Sequence, residues 1–401
     1  MPRVDSAKIL QSTLPKIGLE NQRVLLIVPD GTRTAPLPEL IDIIYSAIGE
    51  KVAQLDVLVA LGTHQPMPAE QLYRHVGLEG KNVDPRNMTV YNHSWDNPES
   101  LVNIGTLEGS EIREISGDLL DEDVPITINR RIFDYDHLIV LSPVFPHEVA
   151  GFSGGAKYFF PGISGHEIID TTHWLGALTG NVNNIGRVET PVRRMIRAAA
   201  KFISIPVTGI CFVTGEKELH GLFVGDLEAS WLKATTVAAQ THIVHTGKRY
   251  RRILACAPIM YDDLWTGAKC MYKCEDIVDD GGELIIYAPH IDSFSYTHGH
   301  IIEKIGYHVA EYFTANMDKM AGIPRAVMAV SVFVTGSGTY RDGVEKRRVR
   351  VTLASRIPKD RCERAGLGYA DPDSIDPEGF KNREEEDVLL VENAGETLYR
   401  Y

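Results

Sequence analysis

The feature that most constrains this chain is a repeated alternation of short apolar runs with amphipathic stretches, the runs ending on polar residues. VLLIVPD (24–30) is apolar up to Pro29 and Asp30, and the turn-rich GTRTAP and amphipathic LPELIDIIYSAIG follow it. A run apolar at every position suits a strand buried on both faces, and a 3.6-residue period suits a helix laid against it. The unit recurs in QLDVLVALGTH (54–64), MTVYNH (88–93) and HLIVLSPVFPH (137–147), predicted strands that end in His64, His93 and His147. Strands alternating with helices predict an α/β domain, whose ligands sit beyond the carboxyl ends of the strands. Asp30, His64, His93 and His147 are then expected on one rim.

The pattern continues with a helix over 190–202, a strand at IPVTGICFVTG (205–215) and a long helix over 227–244. HTGKRYRR (245–252) reads as a short polar linker. A second α/β pattern follows, with strands expected at ILACAP (253–258), GELIIYAP (282–289) and AVMAVSVFV (326–334), a helix between Tyr261 and Asp276, and a strand-like VLLVEN (388–393) in the tail. The expected fold class is therefore α/β: two α/β domains, 1–246 and 247–401, with mostly parallel sheets and a cleft between them. A chain of 401 residues has room for both cores.

A net charge of −13 argues against nucleic-acid partners, which need clustered positive charge. The basic run Lys346 to Arg350 is interrupted by Val349 and reads as the solvated face of a strand. No window approaches the ~20 apolar residues of a membrane span, and the amino terminus lacks the apolar core of a secretory signal, so a cytoplasmic protein without membrane partners is expected. Five cysteines without a CxxC pair fit a reducing compartment. Cys270 and Cys274, four apart, read as buried small hydrophobes before metal ligands.

Chemistry concentrates between Pro146 and His173, where PHEVAGFSGGAKYFFPGISGHEIIDTTH packs histidines, a Gly-Gly turn and one lysine into 28 residues. In SGGAK, Ser153, Gly154 and Gly155 precede Lys157, so the backbone can approach an anionic ligand closely while the lysine is presented at the turn. His166 and His173 stand two helical turns apart and, with His147, offer an alternative zinc site for a hydrolase or lyase, although helical zinc pairs usually stand four apart.

VPDGTRTAP, ALGTHQP, YNHSWD, PHEVAGFSGGAKYFFPG and TTH together resemble the nickel-pincer nucleotide-dependent lactate racemase family of 2-hydroxy acid racemases and epimerases. The resemblance covers most of the chain. It implies a nicotinate-derived cofactor, the nickel complex of pyridinium-3,5-bisthiocarboxylic acid mononucleotide, attached covalently at Lys157. Two sulfurs and a ring carbon of the cofactor hold the nickel, and His173 is implied as the fourth ligand, a soft and planar set that suits Ni(II). His93 and His147 match the family's pair of proton-transfer bases, one for each enantiomer. Asp30, Thr32 and Arg33 resemble its DxTRP element, with Arg33 placed to hold the nucleotide phosphate.

Substrate recognition departs from the family pattern. Gln65 stands where lactate racemases carry an arginine, and an amide cannot form a bidentate, charged clamp on a carboxylate. Lys269 keeps the family's second-domain lysine, while Thr266 replaces a glutamine beside Trp265. The expected substrate is therefore a 2-hydroxy acid other than lactate, such as a sugar acid epimerised at C2, and the expected protein partners are the cofactor's biosynthetic enzymes. A carrier that holds the nickel cofactor without turning over substrate is a further alternative.

Overall fold

The computed structural model describes residues 4–31, 35–78, 88–215 and 218–401. The chain forms two compact units, one of Met1–His147, Phe152–Thr172 and Pro191–Thr241, the other of Glu148–Gly151, His173–Thr190 and His242–Tyr401.

The first unit is built on a sheet whose strands are β1 (Arg23–Val28), β2 (Gln54–Val59), β3 (Val90–Asn92), β6 (His137–Pro143), β7 (Val207–Thr214) and β8 (Leu219–Gly225), in the order β8-β7-β6-β1-β2-β3. A separate antiparallel pair joins β4 (Leu101–Leu107) to β5 (Val124–Asn129). The main sheet is parallel except for β8, an antiparallel edge strand. β1 lies at its centre, with Val24 opposite Leu55 on one side and His137 on the other. The unbroken apolar runs follow from this placement: Val24, Leu26 and Val28 join one core with Leu40, Ile41 and Ile44 of the helix Leu37–Ile44, while Leu25 and Ile27 are also fully buried. The helices expected over 190–202 and 227–244 are Pro191–Ala200 and Leu227–His242.

The second unit carries β9 (Tyr250–Cys256), β10 (Val278–Ala288), β13 (Arg350–Ser355), β14 (Gly368–Tyr369) and β15 (Val388–Val391), all parallel, in the order β14-β13-β10-β9-β15. A hairpin of β11 (Gly338–Arg341) and β12 (Val344–Arg347) precedes β13. Two expectations fail here. AVMAVSVFV is not a strand but the helix Arg325–Thr335, buried from Val327 to Thr335, with Pro324 before its first turn and Gly336, at φ 78°, after its last. A helix enclosed on all sides carries the same unbroken apolar run as a buried strand, and the Pro and Gly brackets decide between them. HTGKRYRR is a linker only in part, since β9 begins at Tyr250 rather than at Ile253. The basic run ends β12 and opens β13, with Val349 between them buried.

Among the described residues no helix is long and apolar enough to cross a membrane. All five cysteines are free. Cys270 and Cys274 are fully buried, and burial pushes the Cys274 thiol up to about 12 and that of Cys270 well above its ordinary value. Both are therefore thiols at neutral pH, packed as small apolar side chains.

Candidate active site

Because β3, β2, β1 and β6 are parallel neighbours, their carboxyl ends share one edge of the first unit's sheet. The chain winds outward from β1 to β3 and then resumes on the other side of β1 with β6, so the order reverses between β1 and β6, where such sheets open a ligand crevice. Asp30 and His147 follow the two strands that flank this point; His64 and Gln65 follow β2, and His93 follows β3. Thr32 and Arg33 lie outside the described residues.

Asp30 is buried, and its carboxylate takes a hydrogen bond with Nδ1 of His64, whose ring is half exposed. The carboxylate fixes the imidazole's orientation, a pairing that residues 34 apart in sequence do not announce. Gln65 is exposed.

His93 is 1% exposed. Its Nε2 donates to the Ser164 carbonyl at 3.0 Å, and its Nδ1 accepts from the Asn129 amide at 3.1 Å. Asn129 is oriented by the Arg131 amide, which donates to its Oδ1 at 3.1 Å. This network assigns a neutral ring with its proton on Nε2. Burial has the same effect on its pKa, lowering it from 6.5 to about 4 against the opposing bond to Ser164 and the field of Asp96. His147 is 4% exposed, with its ring centroid 6.4 Å from that of Phe145.

The SGGAK segment is pinned residue by residue. The Ser153 amide donates to the Phe145 carbonyl at 2.8 Å, and its hydroxyl accepts from the Phe145 amide at 3.0 Å while donating to the Pro143 carbonyl at 2.8 Å. The Gly155 amide donates to Ser142 Oγ at 3.1 Å. Gly154 and Gly155 have φ of 80° and 61°, where a side chain is strained. The protein's own atoms also fill the space a side chain would need: a Cβ on Gly154 would lie 2.7 Å from Val144, and one on Gly155 2.9 Å from Trp231. Lys157 sits half-buried in the short helix Gly155–Tyr158 that this turn launches.

In the second unit, Trp265, Thr266 and Lys269 fall on two short helical segments, Leu264–Gly267 and Lys269–Tyr272, which follow the carboxyl end of β9. The buried carboxylate of Asp263 caps the first, accepting from the Thr266 amide at 3.0 Å, and it also accepts from the Tyr296 amide at 3.1 Å. Desolvation raises its pKa. The Trp265 ring lies 4.9 Å from that of His298, and the Lys269 ammonium 4.7 Å from the centre of the Tyr261 ring. His173, half-buried, lies on the helix His166–Thr179.

His166 is largely exposed, 3.5 Å from the carboxylate of Glu167, which also accepts from the Thr127 hydroxyl. Among the described residues no group of three or more His, Cys, Asp or Glu side chains stands in a metal-ligating arrangement. Sequence reasoning missed Asn129, Ser164, Arg193 and Trp231, which act here through partners more than 30 residues away in the chain.

Residues 6–186 match the model of the lactate racemase N-terminal domain. The chain is 26% identical over 277 residues to a lactate racemase of Thermoanaerobacterium thermosaccharolyticum, covering 68% of this chain and 61% of that protein. It is 25% identical over 222 residues to a lactate racemase of Lactiplantibacillus plantarum, covering 54% and 48%. The matched part thus spans less than two thirds of the length of either curated relative. Among solved structures, a Thermotoga maritima protein superposes with a TM-score of 0.88 at 31% identity, over 100% of this chain and 99% of that one. The lactate racemase apoprotein of Thermoanaerobacterium thermosaccharolyticum shares the fold, with a TM-score of 0.74 at 17% identity, over 100% and 94%. The chain thus carries a lactate racemase N-terminal domain over residues 6–186, is distantly similar to lactate racemases at about 25% identity, and shares the fold of one of them over its whole length.

Proposed function

We propose that this protein inverts C2 of a 2-hydroxy acid other than lactate through a 2-keto acid, with a nickel-pincer nucleotide supplying the hydride acceptor and donor. The observation that carries this reading is the row of Asp30, His64, His93 and His147 beyond the carboxyl ends of four parallel strands, with the Lys157 loop soon after the fourth, in a chain that carries this N-terminal domain. The donor set fits the group. The one donor such a pincer would ask of the protein is an imidazole, and His173, on the helix His166–Thr179, could supply it. Lys157 would hold it covalently and His173 would ligate the nickel, with Asp30, Thr32 and Arg33 toward the nucleotide.

The substrate hydroxyl has to lose its proton as C2 is oxidised and regain one as C2 is reduced on the other face, which calls for a base on each side. His147 and His93 fill these roles. His93 is neutral at pH 7, as a base must be, and to act as one it would have to exchange the bond between its Nδ1 and the Asn129 amide for one to the substrate hydroxyl. Lys269 would pair with the substrate carboxylate, and Gln65, Thr266 and Trp265 are the side chains assigned to the rest of it. Amide, hydroxyl and indole groups suit a hydroxylated chain such as that of a sugar acid.

The test is to produce the full chain alongside the cofactor's biosynthetic enzymes, measure intact mass and nickel, and follow C2 inversion of sugar acids and of lactate by NMR. The expected result is a mass increase at Lys157 with near-stoichiometric nickel, both absent in Lys157→Ala, and inversion of a sugar acid in preference to lactate. Unmodified protein, or protein holding zinc alone, would sink the reading. His93→Ala and His147→Ala should keep the cofactor and lose turnover, whereas a carrier would be indifferent to both.

A further inference from the structure

Two side chains from distant helices reach the loop that leads to Lys157. Arg193, on the helix Pro191–Ala200, donates to the carbonyl of Phe152 and, at 3.4 Å, to that of Gly154. Trp231, on the helix Leu227–His242, donates its indole N–H to the carbonyl between them, Ser153, at 2.7 Å. Both side chains are 0% exposed, and the guanidinium carbon lies 4.0 Å from the centre of the indole ring. Gly155 packs directly on the same indole.

A guanidinium taken wholly out of water is costly unless its donors are used, and apolar side chains would fill the space at less cost. An arginine here does what they cannot: its planar fork fixes the direction of the carbonyls it holds. The indole stacks against the guanidinium and holds the third carbonyl. Three consecutive carbonyls are thereby bonded to this stacked pair, immediately before the short helix that presents Lys157.

We propose that Arg193 and Trp231 are positioning residues, holding the carbonyls of Phe152, Ser153 and Gly154 so that Lys157 is presented in the single orientation that attachment of the nucleotide requires. The proposal rests on the reading of Lys157 as the attachment point. It assigns to two buried residues, 36 and 74 positions beyond the lysine, a part in loading the protein as well as in folding it.

The experiment uses the full chain with Trp231→Phe, Arg193→Lys and Arg193→Met, produced with and without the biosynthetic enzymes. Three quantities are read: the fraction of Lys157 carrying the added mass, the melting temperature, and the rate at which an amine-acylating reagent labels Lys157 in cofactor-free protein. Trp231→Phe keeps the aromatic face and loses one hydrogen bond, so it should melt within about 4 °C of wild type. Its loading should nevertheless fall roughly tenfold or more, because misplacing a reacting group by about 1 Å can cost about a hundredfold, and Lys157 should be labelled severalfold faster. Arg193→Lys, which keeps the charge without the fork, should load better than Arg193→Met. If Arg193→Met fails to fold, Trp231→Phe and Arg193→Lys still decide. Loading in those two variants equal to wild type, or falling only in step with the folded fraction, overturns the proposal. Should wild type itself stay unmodified, the attachment reading fails, and unchanged labelling rates in the variants would then overturn the positioning claim separately.

Discussion

The molecule carries two lysines proposed to work on the same chemistry, and their supports differ. Lys157 follows a loop in which the carbonyls of Phe152, Ser153 and Gly154, the Gly155 amide and the Ser153 hydroxyl are all bonded to buried groups. Lys269 opens the short helix that follows the one Asp263 caps, its ammonium over the face of Tyr261. Buried hydrogen bonds are strict about direction, and leaving one unmade costs about 1–3 kcal/mol per group. A cation over an aromatic face tolerates shifts of position and contributes about 0.5–1 kcal/mol near the surface. The first arrangement suits a reaction that must not vary, and the second suits a substrate contact that diverges within a family.

The largest expected effect breaks the symmetry of the two lysines outright. Lys157→Ala should lose turnover to background, and Lys157→Arg should do the same, because a guanidinium keeps the charge but not the nucleophilic amine. Both should remain folded, as a melting scan would show. Appreciable turnover in Lys157→Arg would reduce Lys157 to an electrostatic role and remove the reason for so rigid a loop.

His93 gives the next largest effect and shows the same strictness in its response to pH. Burial keeps the folded-state ring neutral down to about pH 4, while the unfolded chain takes up a proton below pH 6.5. The unfolded state therefore binds more protons in this window, so the stabilisation is fully present above pH 6.5 and is lost as pH falls toward 4. At about 1.4 kcal/mol for each tenfold loss of proton affinity, it amounts to roughly 3 kcal/mol. Urea unfolding at pH 7 and pH 5 should show wild type losing more stability than His93→Gln. His137, also lowered by burial, should leave a residual slope in the variant.

The sequence made the sheet of the first unit legible because β1, β2, β6 and β7 are buried along nearly their whole length, and strands buried on both faces are written as largely apolar runs. The same signal misled at AVMAVSVFV, where a fully enclosed helix obeys the same rule. β8 escaped notice because LHGLFVG, an edge strand, mixes polar and glycine residues with its apolar ones. At the site, strand ends located Asp30, His64, His93 and His147, since topology alone puts such residues on one rim. What could not be read was the shell behind them. Asn129 against His93, and Arg193 and Trp231 against the Phe152–Gly154 carbonyls, are met only across the fold, and none lies near its partner in the chain. The glycines of SGGAK illustrate the same limit: their spacing suggests room for a ligand, whereas the fold spends that room on Val144 and Trp231.

Against the loss expected at Lys157, truncating Lys269 should be graded. Lys269→Ala removes one charged contact to a carboxylate, about 1.5–3 kcal/mol, so KM should rise roughly ten- to a hundredfold with loading at Lys157 unchanged. Steady-state kinetics on protein of known nickel content would check this. A fall in loading would mean that the two lysines are not separable in the way their supports suggest.

The smallest effect tests whether the second support really rests on one cap. Asp263 holds the Thr266 amide with one oxygen and the Tyr296 amide with the other, tying the first turn of the Trp265 helix to the segment that carries His298. Asp263→Ala should cost about 1 kcal/mol of stability, the usual loss for an N-cap. Asp263→Asn offers one carbonyl oxygen where two carboxylate oxygens serve now, and so should recover the cap but not the tie to Tyr296. Desolvation raises the Asp263 pKa, so removing its charge is not itself a penalty, and the asparagine variant should melt closer to wild type than the alanine one. If both variants keep wild-type stability yet change the ratio of kcat/KM between a sugar acid and lactate, the Asp263 link serves to place Trp265 and Thr266 against substrate rather than to stabilise the unit. If both melt alike, well below wild type, the tie to Tyr296 matters more than the cap, and the segment around Lys269 is held more firmly than the comparison with the Lys157 loop allows.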